Sequence, residues 1–169
     1  MTDMVTLIAK TTPLERDLTF PYRTVEAADA ARLGELYFTA YDTSVVGDSL
    51  DAALADMKES LAGKYGALLP AASHVALDET GKIIAAVLVV DHAVGDDTPD
   101  TPFIIELITD RQHRRRGLAE DLVLATMDTL FNDGKSDVAL RVEAGNSAAL
   151  ALYLSIDFRR WTPEESDDV

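Results

Sequence analysis

The chain has 169 residues, 47 % apolar and 27 % charged, a balance that suits one ordinary globular domain over residues 1–169 and argues against a disordered chain. Thirty acidic residues against fifteen basic ones leave a formal charge of −15, a field that repels nucleic acid and anionic membranes and attracts cations. The lack of cysteine excludes a thiol nucleophile, a disulfide framework and a thiolate-held metal, and the three histidines (His74, His92, His113) are too widely spaced for a metal motif, so none is expected.

Taken in chain order, residues 1–22 read as an irregular N-terminal segment. Val5–Ala9 could form a short strand there before Pro13 and Pro21 interrupt regular structure. From Ala27 to Tyr41 the residues Ala30, Leu33, Leu36, Tyr37, Ala40 and Tyr41 follow helical spacing. Beyond the turn Val46-Gly47-Asp48, a second helix fits Ser49–Ala62, striped by Leu50, Leu54, Met57 and Leu61. Asp48 is the expected N-cap, with Gly63 just past the end. The period then changes. Ser73–Leu77 and Lys82–Val90 read as strands around the tight turn Asp78-Glu79-Thr80-Gly81, the second apolar enough to be covered on both faces. Residues 91–102 form a polar loop holding Asp91, Asp96, Asp97 and Asp100. Phe103–Thr109 is a further strand, Gly117–Asn132 a helix ending at Asp133-Gly134, Val138–Val142 a strand, Asn146–Ser155 a short helix and Phe158–Trp161 a last strand. Residues 162–169 are an acidic tail expected to fray. The expected fold is therefore α/β (α+β), a mixed, mostly antiparallel sheet flanked by helices. No apolar run approaches the ~20 residues of a membrane span, and no leader pattern opens the chain, so a cytoplasmic location without membrane partners is expected.

The strongest local signal is Asp110-Arg111-Gln112-His113-Arg114-Arg115-Arg116-Gly117-Leu118-Ala119, between a strand end and a helix start. Gly117 and Ala119 keep bulk away from the first helical turn, whose N–H groups lack intrahelical partners and attract anions. Four arginines within six positions add bidentate phosphate capacity, so the segment suits a pyrophosphate. A solvated basic turn or a nucleic-acid patch would use the same residue types, although the net charge opposes the latter. Further on, Asn146 is a good N-cap, and Tyr153 lies two turns later on the same helix face. Alone, that segment reads as a capped amphipathic helix with a core tyrosine.

Together the two segments resemble the GNAT superfamily of N-acetyltransferases. Arg114-Arg115-Arg116-Gly117-Leu118-Ala119 fits the family's R/Q-x-x-G-x-G/A loop, and Asn146, Tyr153 and Phe158 fit its second signature, with Asp157 where many members carry glycine. The resemblance covers about residues 103–161. It implies acetyl-CoA as co-substrate and an amine acceptor, for which the acidic field favours a cation. It also implies that backbone groups of Leu107, Ile108 and Thr109 pair with the pantetheine arm. Arg114, Arg115, Arg116, Gly117, Leu118, Ala119 and Glu120 would surround the pyrophosphate, Asn146 would hold the pantetheine, and Tyr153 would protonate the departing thiolate.

An acceptor amine is protonated at neutral pH and needs a base. Glu106, the lone carboxylate of the apolar strand Phe103–Thr109, is the candidate; an edge-facing or salt-bridged glutamate is the plainer reading of the same residue. Without cysteine, the amine is expected to attack directly in a ternary complex. The acceptor pocket is expected between the first two helices, the loop 91–102 and the C-terminal strands. Little chain follows Trp161 to supply the extra strand that often closes that side in the family. Two other functions remain compatible with these residues: an acyl-CoA-binding module without catalysis, and an interaction domain using the arginine loop. Dimerisation suits such a fold, but no residue here specifies it.

Overall fold

A computed structural model describes residues 3–40, 49–93 and 98–163. Seven strands form one sheet: β1 (Met4–Lys10), β2 (Tyr22–Thr24), β3 (His74–Leu77), β4 (Ile83–Val90), β5 (Phe103–Thr109), β6 (Asp137–Glu143) and β7 (Arg159–Trp161). The helices among the described residues are α1 (Ala30–Ala40), α2 (Leu50–Leu61), α3 (Leu118–Asn132) and α4 (Ser147–Ser155). The strands lie in the order β2-β3-β4-β5-β6-β1-β7, all neighbours antiparallel except β5 and β6, which α3 connects in a crossover. The mixed, mostly antiparallel sheet expected from the sequence is present.

All eight residues of β4 are buried, because the strand is covered on both faces. Ile84, Ala85, Val87 and Val89 belong to the apolar cluster of α3, with Leu118, Leu122, Met127 and Leu130. Ile83, Ala86 and Leu88 belong to the cluster of α1 and α2, with Leu33, Leu36 and Met57. The two helices of that second layer approach closely at Gly34 of α1. A Cβ there would lie 2.5 Å from Leu54 Cδ2 and 2.9 Å from Leu54 Cα.

Two expectations need correction. Residues 1–22 are not irregular throughout: the short strand expected at Val5–Ala9 is the longer β1, which sits between β6 and β7, and β2 begins at Tyr22. Within β1, Leu7 lies opposite Leu140 and Arg160. Ser49, not Asp48, caps α2, its hydroxyl accepting from the Ala52 N–H at 3.1 Å. Tyr41, Val46, Gly47, Asp48, Asp96, Asp97 and the tail from Glu164 lie outside the described residues.

Candidate active site

The site begins with a break in the sheet. β5 and β6 pair only through Phe103↔Ala139 and Ile104↔Leu140, although β5 continues to Thr109 and β6 to Glu143. The next residue, Ile105, is the extra one of a bulge: Leu88 faces Glu106 while Val89 faces Ile104. A bulge bends its strand, and here the bend falls where the parallel pairing stops. Past Ile104 the two strands are no longer paired toward their carboxyl ends, the usual position for a ligand site beside a parallel pair. Leu107, Ile108 and Thr109 stay paired with β4 but not with β6. Ile108 is buried in the cluster of α1 and α2, so its contribution there is backbone only.

The bulge also aims Glu106. Directly opposed residues of an antiparallel pair share a face, so Glu106 lies on the same side as Leu88, toward α1 and α2. Glu106 is half-buried, and its charge reaches two phenols. Tyr153 is 8 % exposed, and burial first, then Glu106, pushes its hydroxyl up to about 12. Tyr37 of α1 is also pushed up to about 12, by burial first and then by Glu106 and Asp56. Asp56 in turn accepts the Tyr65 hydroxyl at 2.8 Å. Glu106, Asp56, Tyr37 and Tyr65 thus gather on the side of α1 and α2, while the Tyr153 ring packs in the cluster of α3.

The position of Tyr153 follows from helix-end chemistry. Asn146 Oδ1 accepts from the Ala149 N–H at 3.2 Å and starts α4. At the other end Phe158 N–H reaches Tyr153 O at 3.0 Å and Asp157 N–H reaches Leu154 O at 3.2 Å. This is the paired C-terminal bonding that ends a helix on a left-handed residue. Asp157 supplies that residue at φ 73°, a conformation that aspartate tolerates. The apolar contact that accompanies such an ending is Tyr153 on Phe158, with ring centroids 5.7 Å apart.

After β5 the chain turns sharply, with Arg115 at φ 67° and Gly117 at φ 83°. Asp110 fixes the start of the turn by accepting the Gln112 N–H at 2.9 Å. Arg114 fixes its far side by donating to Ala40 O, the last carbonyl of α1, at 2.8 Å. Arg114, Arg115, Arg116 and Gly117 are all exposed, and of these Arg114 is tied to α1 by that bond. The first intrahelical bond of α3 is Asp121 N–H to Gly117 O at 3.0 Å, so the N–H groups of Leu118, Ala119 and Glu120 precede it. Gly117 offers no side chain to cap them, and a Cβ there would meet nothing within 4 Å. The Leu118 side chain is buried in the core, leaving only its main chain to the site.

Two of the three histidines lie on or beside these elements. His74 is 4 % exposed against α3, with Nε2 3.3 Å from Thr129 Oγ1, and its pKa is lowered by burial to about 4. His113 lies half-buried with Nδ1 3.8 Å from Asp110. Sequence reasoning passed over Tyr37, Asp56 and Tyr65, because a helical tyrosine within an apolar stripe carries no signal that separates it from core.

The fold has counterparts. The profile of the Acetyltransferase (GNAT) family matches residues 20–158, and the chain belongs to that family. A mycothiol acetyltransferase of Kocuria rhizophila is 36 % identical over 70 residues, which is 41 % of this chain and 23 % of that protein. A GCN5-related N-acetyltransferase from Sphaerobacter thermophilus superposes with a TM-score of 0.67 at 18 % identity, over 95 % of this chain and 49 % of that one. Aminoglycoside N-acetyltransferase AAC(6')-Iy, solved with CoA, superposes with a TM-score of 0.63 at 20 % identity, over 88 % and 93 %. The chain thus spans about a quarter of the first relative and about half of the second.

Proposed function

We propose that the chain transfers an acetyl group from acetyl-CoA to the amine nitrogen of a cationic small molecule or peptide. The observation that carries this reading is the end of β5–β6 pairing after Ile104, with Glu106 on β5 beside it and the uncapped start of α3 at the end of β5. The pantetheine arm, an extended chain with two amides, suits the β5 edge that β6 vacates after Ile104. Its diphosphate suits the free N–H groups of Leu118, Ala119 and Glu120, aided by Arg115 and Arg116. Asn146 keeps its amide nitrogen for a pantetheine contact, since the helix cap engages Oδ1.

In this reading Glu106 takes one proton from the ammonium, and the neutral amine attacks the thioester carbonyl. The C–N bond forms, the C–S bond breaks with its electron pair left on sulfur, and the nitrogen's second proton ends on that sulfur as the amide appears, releasing CoA as the thiol. A phenol held near 12 is a poor acid toward a thiolate of pKa about 8.5 while Glu106 is charged. Burial, the larger cause, persists when Glu106 takes up a proton, so Tyr153 serves as a hydrogen-bond donor to the developing thiolate. The carboxylates Glu106 and Asp56, with Tyr37 and Tyr65 beside them, favour an acceptor that carries positive charge.

Calorimetric titration of acetyl-CoA into the wild type and Gly117→Glu tests the reading. Micromolar binding that the added carboxylate abolishes is expected. A folded wild type without affinity would overturn the reading; binding without acetyl transfer to any amine would reduce it to an acyl-CoA-binding module.

A further inference from the structure

Residues 11–21, between β1 and β2, run across α3 as a strap, and most of this strap precedes the part of the chain that the family profile matches. The strap is tied along its length. The Thr11 hydroxyl donates to Lys135 O at 2.6 Å, Leu14 N–H to Asp128 Oδ1 at 2.8 Å and Thr19 N–H to Asp121 Oδ2 at 2.7 Å. Its one basic residue, Arg16, forks over the first turn of α3. Nη2 lies 2.8 Å from Glu120 Oε2 and Nη1 2.9 Å from Asp121 Oδ1.

Those two carboxylates stand in an awkward place. Acidic residues in a first turn stabilise a helix, but the same turn is where an anion would bind. Asp121 is 4 % exposed, so water screens it little, and Glu120 is itself one of the residues whose main chain faces the proposed diphosphate. Unbalanced, the pair would repel a diphosphate at short range.

We infer that Arg16 is a positioning residue for the nucleotide end of the co-substrate: by pairing with Glu120 and Asp121 it cancels the charge that would otherwise exclude the diphosphate from the start of α3. The inference rests on the proposed acetyl-CoA site. It couples an N-terminal strap to affinity for CoA, without any contact between Arg16 and the ligand.

The test is calorimetric titration of CoA into wild type, Arg16→Gln, Arg16→Lys and Arg16→Gln/Glu120→Gln, with thermal melts to establish folding. Arg16→Gln should weaken binding by about 10-fold at low salt, the loss shrinking as salt screens the exposed carboxylate. Arg16→Lys keeps the charge and should lose less than about 3-fold. Removing the Glu120 charge in the double variant should restore most of the affinity, which a merely structural role for Arg16 would not allow. Wild-type binding with Arg16→Gln unchanged, or a folded double variant with no recovery, would overturn the inference alone. A wild type that does not bind CoA would overturn the acetyl-CoA reading and this inference with it.

Discussion

Asn146, Tyr153, Asp157 and Phe158 illustrate how a spacing becomes a site. Asn146 starts α4, Asp157 stops it, and Phe158 closes back on Tyr153, so each signature residue has a local duty that places the phenol. These duties were legible in the sequence because helix ends are local events, set by a few adjacent residues. The partners of Tyr153 were not legible, since Glu106 reaches it only through the bend in β5. Tyr153→Phe should leave acetyl-CoA affinity within about 3-fold and lower kcat by about 100-fold or more; calorimetry and steady-state rates measure the two effects separately. His74 gives a different prediction. Its folded pKa of about 4 lies below the unfolded value near 6.5, so the unfolded chain binds the extra proton between those limits. Stability should therefore be full above about pH 6.5 and fall as pH drops toward 4, by on the order of 3 kcal/mol. Urea unfolding across that range should show the slope, and His74→Gln should flatten it.

Among the elements, β4, β5 and α3 were the most legible. Their apolar runs and punctuation are strong, and observed and expected bounds differ by at most one residue. The bulge at Ile105 was not, because one extra isoleucine beside Ile104 in a mostly apolar strand leaves no mark in composition. β2 was missed for a related reason: three residues, Tyr22–Thr24, are too few to show a period, and only their pairing with β3 makes them a strand. The contact of α1 with α2 turns on Gly34. Alanine there would gain about 1 kcal/mol of helix propensity. It would also force a Cβ to 2.9 Å from the Leu54 Cα, which cannot swing aside as a side chain can. Overpacking of this kind costs about 1–3 kcal/mol, so the contact outweighs the propensity. Gly34→Ala should lower stability by up to about 2 kcal/mol in urea unfolding. It should also weaken acceptor binding, since Tyr37 and Asp56 lie on these two helices.

At the scale of the molecule, the sheet is held together by contacts that no local pattern announces. β1 is paired along all seven of its residues with β6, and β7 is paired with β1 alone among the described strands. Leu7, 3 % exposed and opposite Leu140, behaves as a central core residue despite its place near the start of the chain. Leu7→Ala should cost about 2–5 kcal/mol, as for other buried leucines, and hydrogen exchange should show faster opening of both β6 and β7. A substitution in a fraying leader would change neither.

That arrangement has a consequence for how the protein is made. A chain emerges from the ribosome in sequence order, yet Thr11 bonds to Lys135, a separation of 124 residues. At a synthesis rate of about 5–20 residues per second, β1 waits on the order of ten seconds for β6 to appear. During that interval Leu7 and Ala9 have no sheet to enter, and a nascent chain with an unpaired apolar strand invites chaperones or neighbouring chains. A strand made long before its partner is therefore among the last to find its place, and the closure of the sheet around β1 must wait for β6.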